Sequence, residues 1–255
     1  MNREDWFTVE PIDHDTWVIS EYGHPEETHS YVLRGRDRAL LIDTGLGVLD
    51  IAEPVSRLTD LPTTAVTTHV HWDHIGSLGS FPSFCAPEAE LDWLRGRFPL
   101  PEQRIRAMLL EGLDAPNGFD IDRYRVFQGE PSRLLNDDDW IDLGCRAVQA
   151  LHTPGHSPGH LCFWEPERGY LFTGDLVYLG TLRADFPSTD PLAYLASLRR
   201  VAGLPVKRVL PAHHGLEVRP ELLSEVRDAL VDLAGCGLLR HGSGRFEYGE
   251  WAVQL

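Results

Sequence analysis

Six consecutive residues, His69-Val70-His71-Trp72-Asp73-His74, place three imidazoles and a carboxylate directly after a short buried-strand pattern, Ala65 to Thr68. Neutral imidazole and carboxylate are ligands for zinc and for other borderline first-row metals. At a strand end residues i and i+2 point the same way, so His69 and His71 share a side, and the turn that follows can swing Asp73 and His74 toward a second point. Three further segments repeat the design of a strand running into a polar turn: Leu151 to His156, Tyr170 to Asp175 and Val209 to His214. If these strands lie side by side in sheets, their turns converge on one rim. The set then supplies seven donors: His69, His71 and His156 for one metal, Asp73, His74 and His213 for another, and Asp175 between them. Two cations that close need an anionic bridge, which one carboxylate and a hydroxide provide, and the pair makes water nucleophilic near neutrality. The expected chemistry is hydrolysis by the bridging hydroxide, without a Ser or Cys nucleophile. Asp73 or a metal-bound water would return a proton to the leaving group, and Tyr178 would donate a hydrogen bond to a substrate carbonyl.

The elements that must position these turns read as an α/β layered domain. Short strands are predicted over 16–20, 28–34 and 39–43, the last stopping at Asp43-Thr44-Gly45, followed by a helix over 48–58 in which Pro54 marks the first turn or a kink. From Ala86 to Arg133 helical spacing takes over, with one apolar stripe at Leu91, Leu94 and Phe98 and another at Ile105, Met108, Leu109 and Leu113. Strands resume over 147–151, 161–164, 170–173 and 208–210, helices are predicted over 192–202 and 221–234, and residues 245–255 alternate as a strand. Residues 1–255 read as one domain, with 86–135 as a helical insertion serving as lid or pocket wall.

Composition narrows the partners. There are 23 Lys+Arg against 39 Asp+Glu, a net charge of −16 with histidine neutral, and no long basic block. That charge opposes phosphate backbones and anionic membrane surfaces, so neither nucleic acid nor membrane is expected as partner. No apolar stretch reaches the ~20 residues of a bilayer span, and Met1 to Glu10 carries no apolar leader, so the expected location is the cytoplasm. The four cysteines form no C-x-x-C pair and are expected to be isolated buried thiols. The expected partner is a small-molecule substrate. The 86–135 stretch balances 7 Arg (95, 97, 104, 106, 123, 125 and 133) against 9 Asp+Glu, which makes it the least repulsive approach for an anionic one.

The H-x-H-x-D-H run followed by separate His, Asp and His residues resembles the metallo-β-lactamase-fold hydrolase superfamily, and the likeness extends from the Asp43-Thr44-Gly45 turn to His213. The resemblance implies a four-layer αββα sandwich with two Zn2+ ions per chain at one edge, iron and manganese being alternatives. In Thr153 to His160 it implies His156 as the ligand, with His160 supporting it. In Pro211-Ala212-His213-His214 it implies His213, with His214 as the competing choice. It also implies that Asp43 supports the metal loop without touching metal. His24 and His29 stand in an early loop where they could line a pocket. Ile42 to Gly47, Thr68 to His71 and Gly174 to Tyr178 followed by Gly180 to Leu182 are similar to the acyl-CoA thioesterase branch. A thioester or related ester is therefore the expected substrate. The alternatives are an acyl-homoserine-lactone hydrolase and a mononuclear iron enzyme of the persulfide-dioxygenase kind using His69, His156 and Asp175. Glyoxalase-II-type thioesterases carry a long helical C-terminal domain, whereas only 42 residues follow His213 here.

Overall fold

Aliphatic and β-branched runs form strands, and the polar turns that end them carry the chemistry. The computed structural model describes residues 1–255. It divides into a first unit, Met1–Leu135 with Asp142–Ala147, and a second, Asn136–Ile141 with Val148–Leu255.

In the first unit seven strands form one sheet in chain order: β1 (Thr8–Asp13), β2 (Thr16–Glu21), β3 (Thr28–Arg34), β4 (Ala39–Ile42), β5 (Thr63–Val66), β6 (Phe84–Pro87) and β7 (Arg133–Leu135). The pairs from β1 to β4 are antiparallel and those from β4 to β7 parallel. β1 gave no periodic signal because it is an edge strand, largely exposed, where Pro11 is tolerated. Helix α1 (Ala52–Leu58) connects β4 to β5 and begins later than its apolar pattern, with Pro54 in the first turn, where the missing N–H costs nothing. Val55 of α1 joins Ile19, Val32, Leu41 and Ala65 in a core of fully or almost fully buried side chains.

The 86–135 stretch is less helical than its spacing predicts. Only the second stripe forms an α-helix, α2 (Glu102–Leu110), which buries Ile105 and Leu109. The first stripe breaks into a 3-10 turn at Glu88–Glu90 and a five-residue helical turn at Trp93–Arg97. Gly96, at φ 89°, leaves the helical region there and stops propagation.

In the second unit five strands run in the order β13-β11-β10-β9-β8: β8 (Trp140–Asp142), β9 (Ala147–His152), β10 (Leu161–Glu165), β11 (Tyr170–Gly174) and β13 (Arg208–Pro211). A second small sheet joins β12 (Gly180–Arg183) to a C-terminal hairpin, β14 (Arg245–Glu247) and β15 (Trp251–Gln254). The single strand expected over 245–255 is thus two, with Gly249 at φ 87° in the turn. Helix α3 (Pro191–Val201) starts on Asp190, whose carboxylate accepts the N–H groups of Leu192 and Ala193. Helix α4 (Leu222–Gly235) adds Leu223, Val226 and Leu230 to a core shared with Leu195 and Leu198 of α3.

Strand direction gathers the turns. β4, β5 and β6 are parallel, so the segments leaving their C-terminal ends, at Asp43, His69 and Glu88, emerge at one edge of the first sheet. β9 and β11 are both antiparallel to β10, and β13 is parallel to β11. The turns bearing His156, Asp175 and His213 therefore leave one edge of the second sheet. No helix is long and apolar enough to cross a membrane.

Candidate metal centre

The first unit builds its four donors from one loop and fixes them through Asp43. That residue follows β4 at φ 60°, an unfavourable region for a non-glycine, and its side chain is almost fully buried. Its Oδ1 accepts the Thr68 backbone N–H at 2.7 Å, and its Oδ2 accepts both the Thr68 hydroxyl at 2.9 Å and His74 Nδ1 at 3.0 Å. Because the Thr68 proton goes to Asp43, its oxygen accepts from His69 Nδ1 at 3.0 Å. Both imidazoles are thereby held with the proton on Nδ1 and the lone pair on Nε2. His69 Nε2 lies 2.9 Å from His71 Nδ1, the His69 and His74 rings are 4.1 Å apart, and His74 Nε2 lies 3.8 Å from Asp73 Oδ2.

The loop is braced from neighbouring turns. His74 O accepts from Thr44 N at 2.8 Å, and Gly45 O accepts from Gly76 N at 2.9 Å. Gly47 and Gly76 pass so closely that a Cβ on either would meet backbone of the other within 2.9 Å. Glu90 is fully buried, and its carboxylate accepts the Val70 N–H at 2.5 Å. Trp93 stacks on His71 at 5.9 Å with 8° between ring planes, and Phe98 meets the same ring edge-on. Two aromatic side chains of the 86–135 stretch thus lie against the His71 ring.

Glu21, at the end of β2, accepts Trp6 Nε1 at 2.8 Å and the Leu46 backbone N–H at 2.9 Å. A Cβ at Gly45, at φ 66°, would fall 1.9 Å from its Oε2, so a side chain there would displace the carboxylate and strain the backbone. Burial raises the Glu21 carboxyl to about 7, the two hydrogen bonds oppose that rise, and the charge of Asp73 adds to it.

The second unit assembles three donors from three strand ends around Asp175. His156 Nε2 lies 3.3 Å from Asp175 Oδ2, and His213 Nε2 lies 3.1 Å from Oδ1. His156 Nδ1 donates to Arg183 O at 3.2 Å, which leaves its Nε2 lone pair toward the carboxylate. A lone pair and a carboxylate oxygen at that distance repel unless a cation or a proton lies with them. The buried group therefore has the chemistry of a metal ligand set, with Asp175 offering one oxygen to each side. The chain's His and Asp clusters can hold metal.

Helix α3 carries the supports. The Tyr194 hydroxyl donates to Leu176 O at 2.6 Å with Asp175 O at 3.0 Å, and the Ser197 hydroxyl donates to Pro154 O at 2.6 Å. His160 uses both ring nitrogens in the turn, accepting the Asp175 N–H at 3.1 Å and donating to Thr153 Oγ1 at 2.9 Å, which suits support rather than ligation.

His213 is the buried donor on Asp175, whereas His214 is partly exposed, at φ 62°, with its ring 5.7 Å from that of Tyr178. Tyr178 departs from its expected part. Its hydroxyl donates to Thr181 O at 2.6 Å, so its one proton secures the turn after Asp175 rather than a substrate carbonyl. His24 and His29 also serve structure: His24 Nδ1 accepts the Glu26 N–H, and His29 Nδ1 bonds Ser20 Oγ at 2.8 Å. Of the cysteines, Cys85 and Cys162 are buried as expected, but Cys145 and Cys236 are exposed.

Glu21, Glu90, Trp93 and Tyr194 have no motif around them. Glu21 ends strand β2 and Glu90 ends the short turn after β6, positions that carry no signal in the sequence.

The family model described as the metallo-beta-lactamase superfamily matches residues 24–213. The acyl-coenzyme A thioesterase MBLAC2 of Gallus gallus is 30% identical over 247 residues, covering 85% of this chain and 83% of its own length. Among solved structures, a metallo-beta-lactamase family protein from Thermus thermophilus has a TM-score of 0.68 at 21% identity, covering 89% of this chain and 83% of the other. TTHA1623, solved in a di-iron-bound form, has a TM-score of 0.56 at 30% identity, covering 75% of this chain and 89% of the other. The structural likeness shows the α/β fold expected from the sequence.

Proposed function

Since the chain belongs to the metallo-β-lactamase superfamily, we propose that it is a dinuclear zinc hydrolase of thioesters, with acyl-CoA as the substrate class. The observation that carries this reading is the buried Asp175 carboxylate, which offers one oxygen to the Nε2 of His156 and the other to that of His213. The thioesterase name of a relative 30% identical over most of both chains supports the substrate.

His69, His71 and His156 would hold one ion, Asp73, His74 and His213 the second, and Asp175 both. When bound, the metals supply Lewis acidity and bring a water toward ionisation near neutral pH. The protein's part is to fix proton positions. Asp43 keeps the His69 and His74 protons on Nδ1, and the Arg183 carbonyl does the same for His156. Asp73, buried beside His74, would carry a proton between water and the departing sulfur. A thiol ionises near pH 8.5, so little proton transfer is needed for it to leave. The net reaction adds water across the C–S bond and yields a carboxylic acid and a thiol.

The di-iron form of one similar structure makes iron the alternative metal. Elemental analysis of the purified protein should find close to two zinc ions per chain, and less than one tightly bound transition metal would overturn the reading. Turnover should favour acyl-CoA over acyl-homoserine lactone, and Asp175→Ala should reduce it to background. Retained turnover in that variant would contradict a bridging carboxylate.

A further inference from the structure

Many arginines of this chain, which carries a net charge of −16, pair with carboxylates. In the 86–135 stretch Arg95 pairs with Glu130, Arg97 with Asp92 and Arg106 with Glu102. Arg3 and Arg123 differ, for neither guanidinium makes an ion pair or a hydrogen bond, although both line the same open cavity of about 230 Å³ within the first unit. One carboxylate, Asp120, shares the lining, and its Oδ1 already accepts the Asp122 N–H at 3.0 Å. Two arginines against one carboxylate leave cations in excess in the lining.

Its walls are suited to a ligand. Gly118, at φ 84°, takes a backbone conformation that favours glycine, and Arg3 Nη1 lies beside it. Phe119 is half-buried in the lining and packs against the neighbouring hydrophobic cluster. Gly47 and Val48 continue the Asp43 to Gly45 turn, so one wall of the cavity is the chain that braces the metal loop. Tyr124 forms another part of the lining and is nine-tenths buried, with a hydroxyl that has no hydrogen-bond partner. Burial raises the ionisation of that hydroxyl, and the next contributors are the charges of Asp73 and Glu21.

We propose that Arg3 and Arg123 form an anion subsite that binds a phosphate group of the substrate remote from the scissile thioester. This rests on the thioesterase reading. Planar guanidinium groups bind phosphate through paired, charge-assisted hydrogen bonds. The remote grip would distinguish a phosphorylated thiol carrier from a bare thioester and would hold the substrate against an otherwise repulsive surface.

The test compares one acyl group on two thiols, coenzyme A and N-acetylcysteamine, which lacks phosphate. For the double variant Arg3→Ala/Arg123→Ala, the ratio of kcat/KM for the CoA ester to that for the cysteamine ester should fall about tenfold or more, mostly through KM. Lysine at both positions should restore part of it. A ratio within twofold of wild type, or equal losses on both substrates, overturns the subsite. A calorimetric titration with adenosine 3′,5′-bisphosphate separates the two proposals. If the wild type hydrolyses neither ester, the thioesterase reading fails. Bisphosphate binding that the double variant loses still supports the subsite, and no binding to wild type overturns it.

Discussion

The two units solve the same problem in opposite ways. In the first, four donors lie within six residues, and one carboxylate, Asp43, orients His69 through Thr68 and His74 directly. In the second, three donors arrive from three strand ends, and their support is divided among Tyr194, Ser197, Thr153 and the Arg183 carbonyl. Contiguity is economical in sequence but concentrates the load on one group. Dispersion spreads it, so single losses are absorbed.

The largest expected effect tests the concentrated side. Asp43→Ala leaves the Thr68 N–H unsatisfied and frees both imidazoles to change tautomer. Metal affinity should fall about 100-fold, the upper end for a residue that orients ligands. Competition with a chelator measures it, and a loss no larger than that of any single support in the second unit would break the comparison.

Glu21 provides the next test, through pH. Its carboxyl titrates near 7 in the fold and near 4.5 when unfolded. Below about pH 4.5 it is neutral in both states and costs nothing. As pH rises toward 7 the unfolded chain gives up the proton first, so stability is lost across that window, by about 3 kcal/mol in total. Thermal unfolding of metal-free protein from pH 4.5 to 8 should show this loss in wild type and not in Glu21→Gln. Parallel pH profiles would refute the assignment.

The smallest effect belongs to the dispersed side. Tyr194→Phe removes a hydroxyl bonded to the turn at Asp175 and Leu176 but leaves Ser197 and His160 in place. A drop in metal affinity of about tenfold or less is expected. Adding Ser197→Ala should lower it further, whereas a Tyr194→Phe loss equal to that of Asp43→Ala would erase the distinction.

What was legible in the sequence follows the same division. Candidate ligand types are chemical and local, so His69, His71, Asp73 and His74 stand out by spacing, and the strand-then-turn pattern points to His156, Asp175 and His213 as candidates. Supports that come from distant chain were invisible. Glu21 precedes Gly45 by 24 positions, and only the fold brings its carboxylate to the Leu46 N–H. Tyr194 sits on the buried face of α3 and reads from sequence as one more apolar contact. Tyr178 was misleading for a related reason, since proximity in sequence to Asp175 says nothing about which acceptor its proton has already found. Periodicity over 86–135 likewise overstated helix because Gly96 interrupts a stripe whose apolar positions remain buried or half-buried without it.

The cysteines carry a practical consequence. Cys145 belongs to the first unit and Cys236 to the second, both exposed, while Cys85 and Cys162 are buried. Burial also pushes the Cys162 thiol up to about 12, which keeps it protonated and unreactive at neutral pH. Thiol-directed dyes would therefore place one fluorophore on each half of the native chain without any substitution. The protein comes equipped with one attachment point on each unit, so the surroundings of each can be followed by fluorescence as metal or substrate is added.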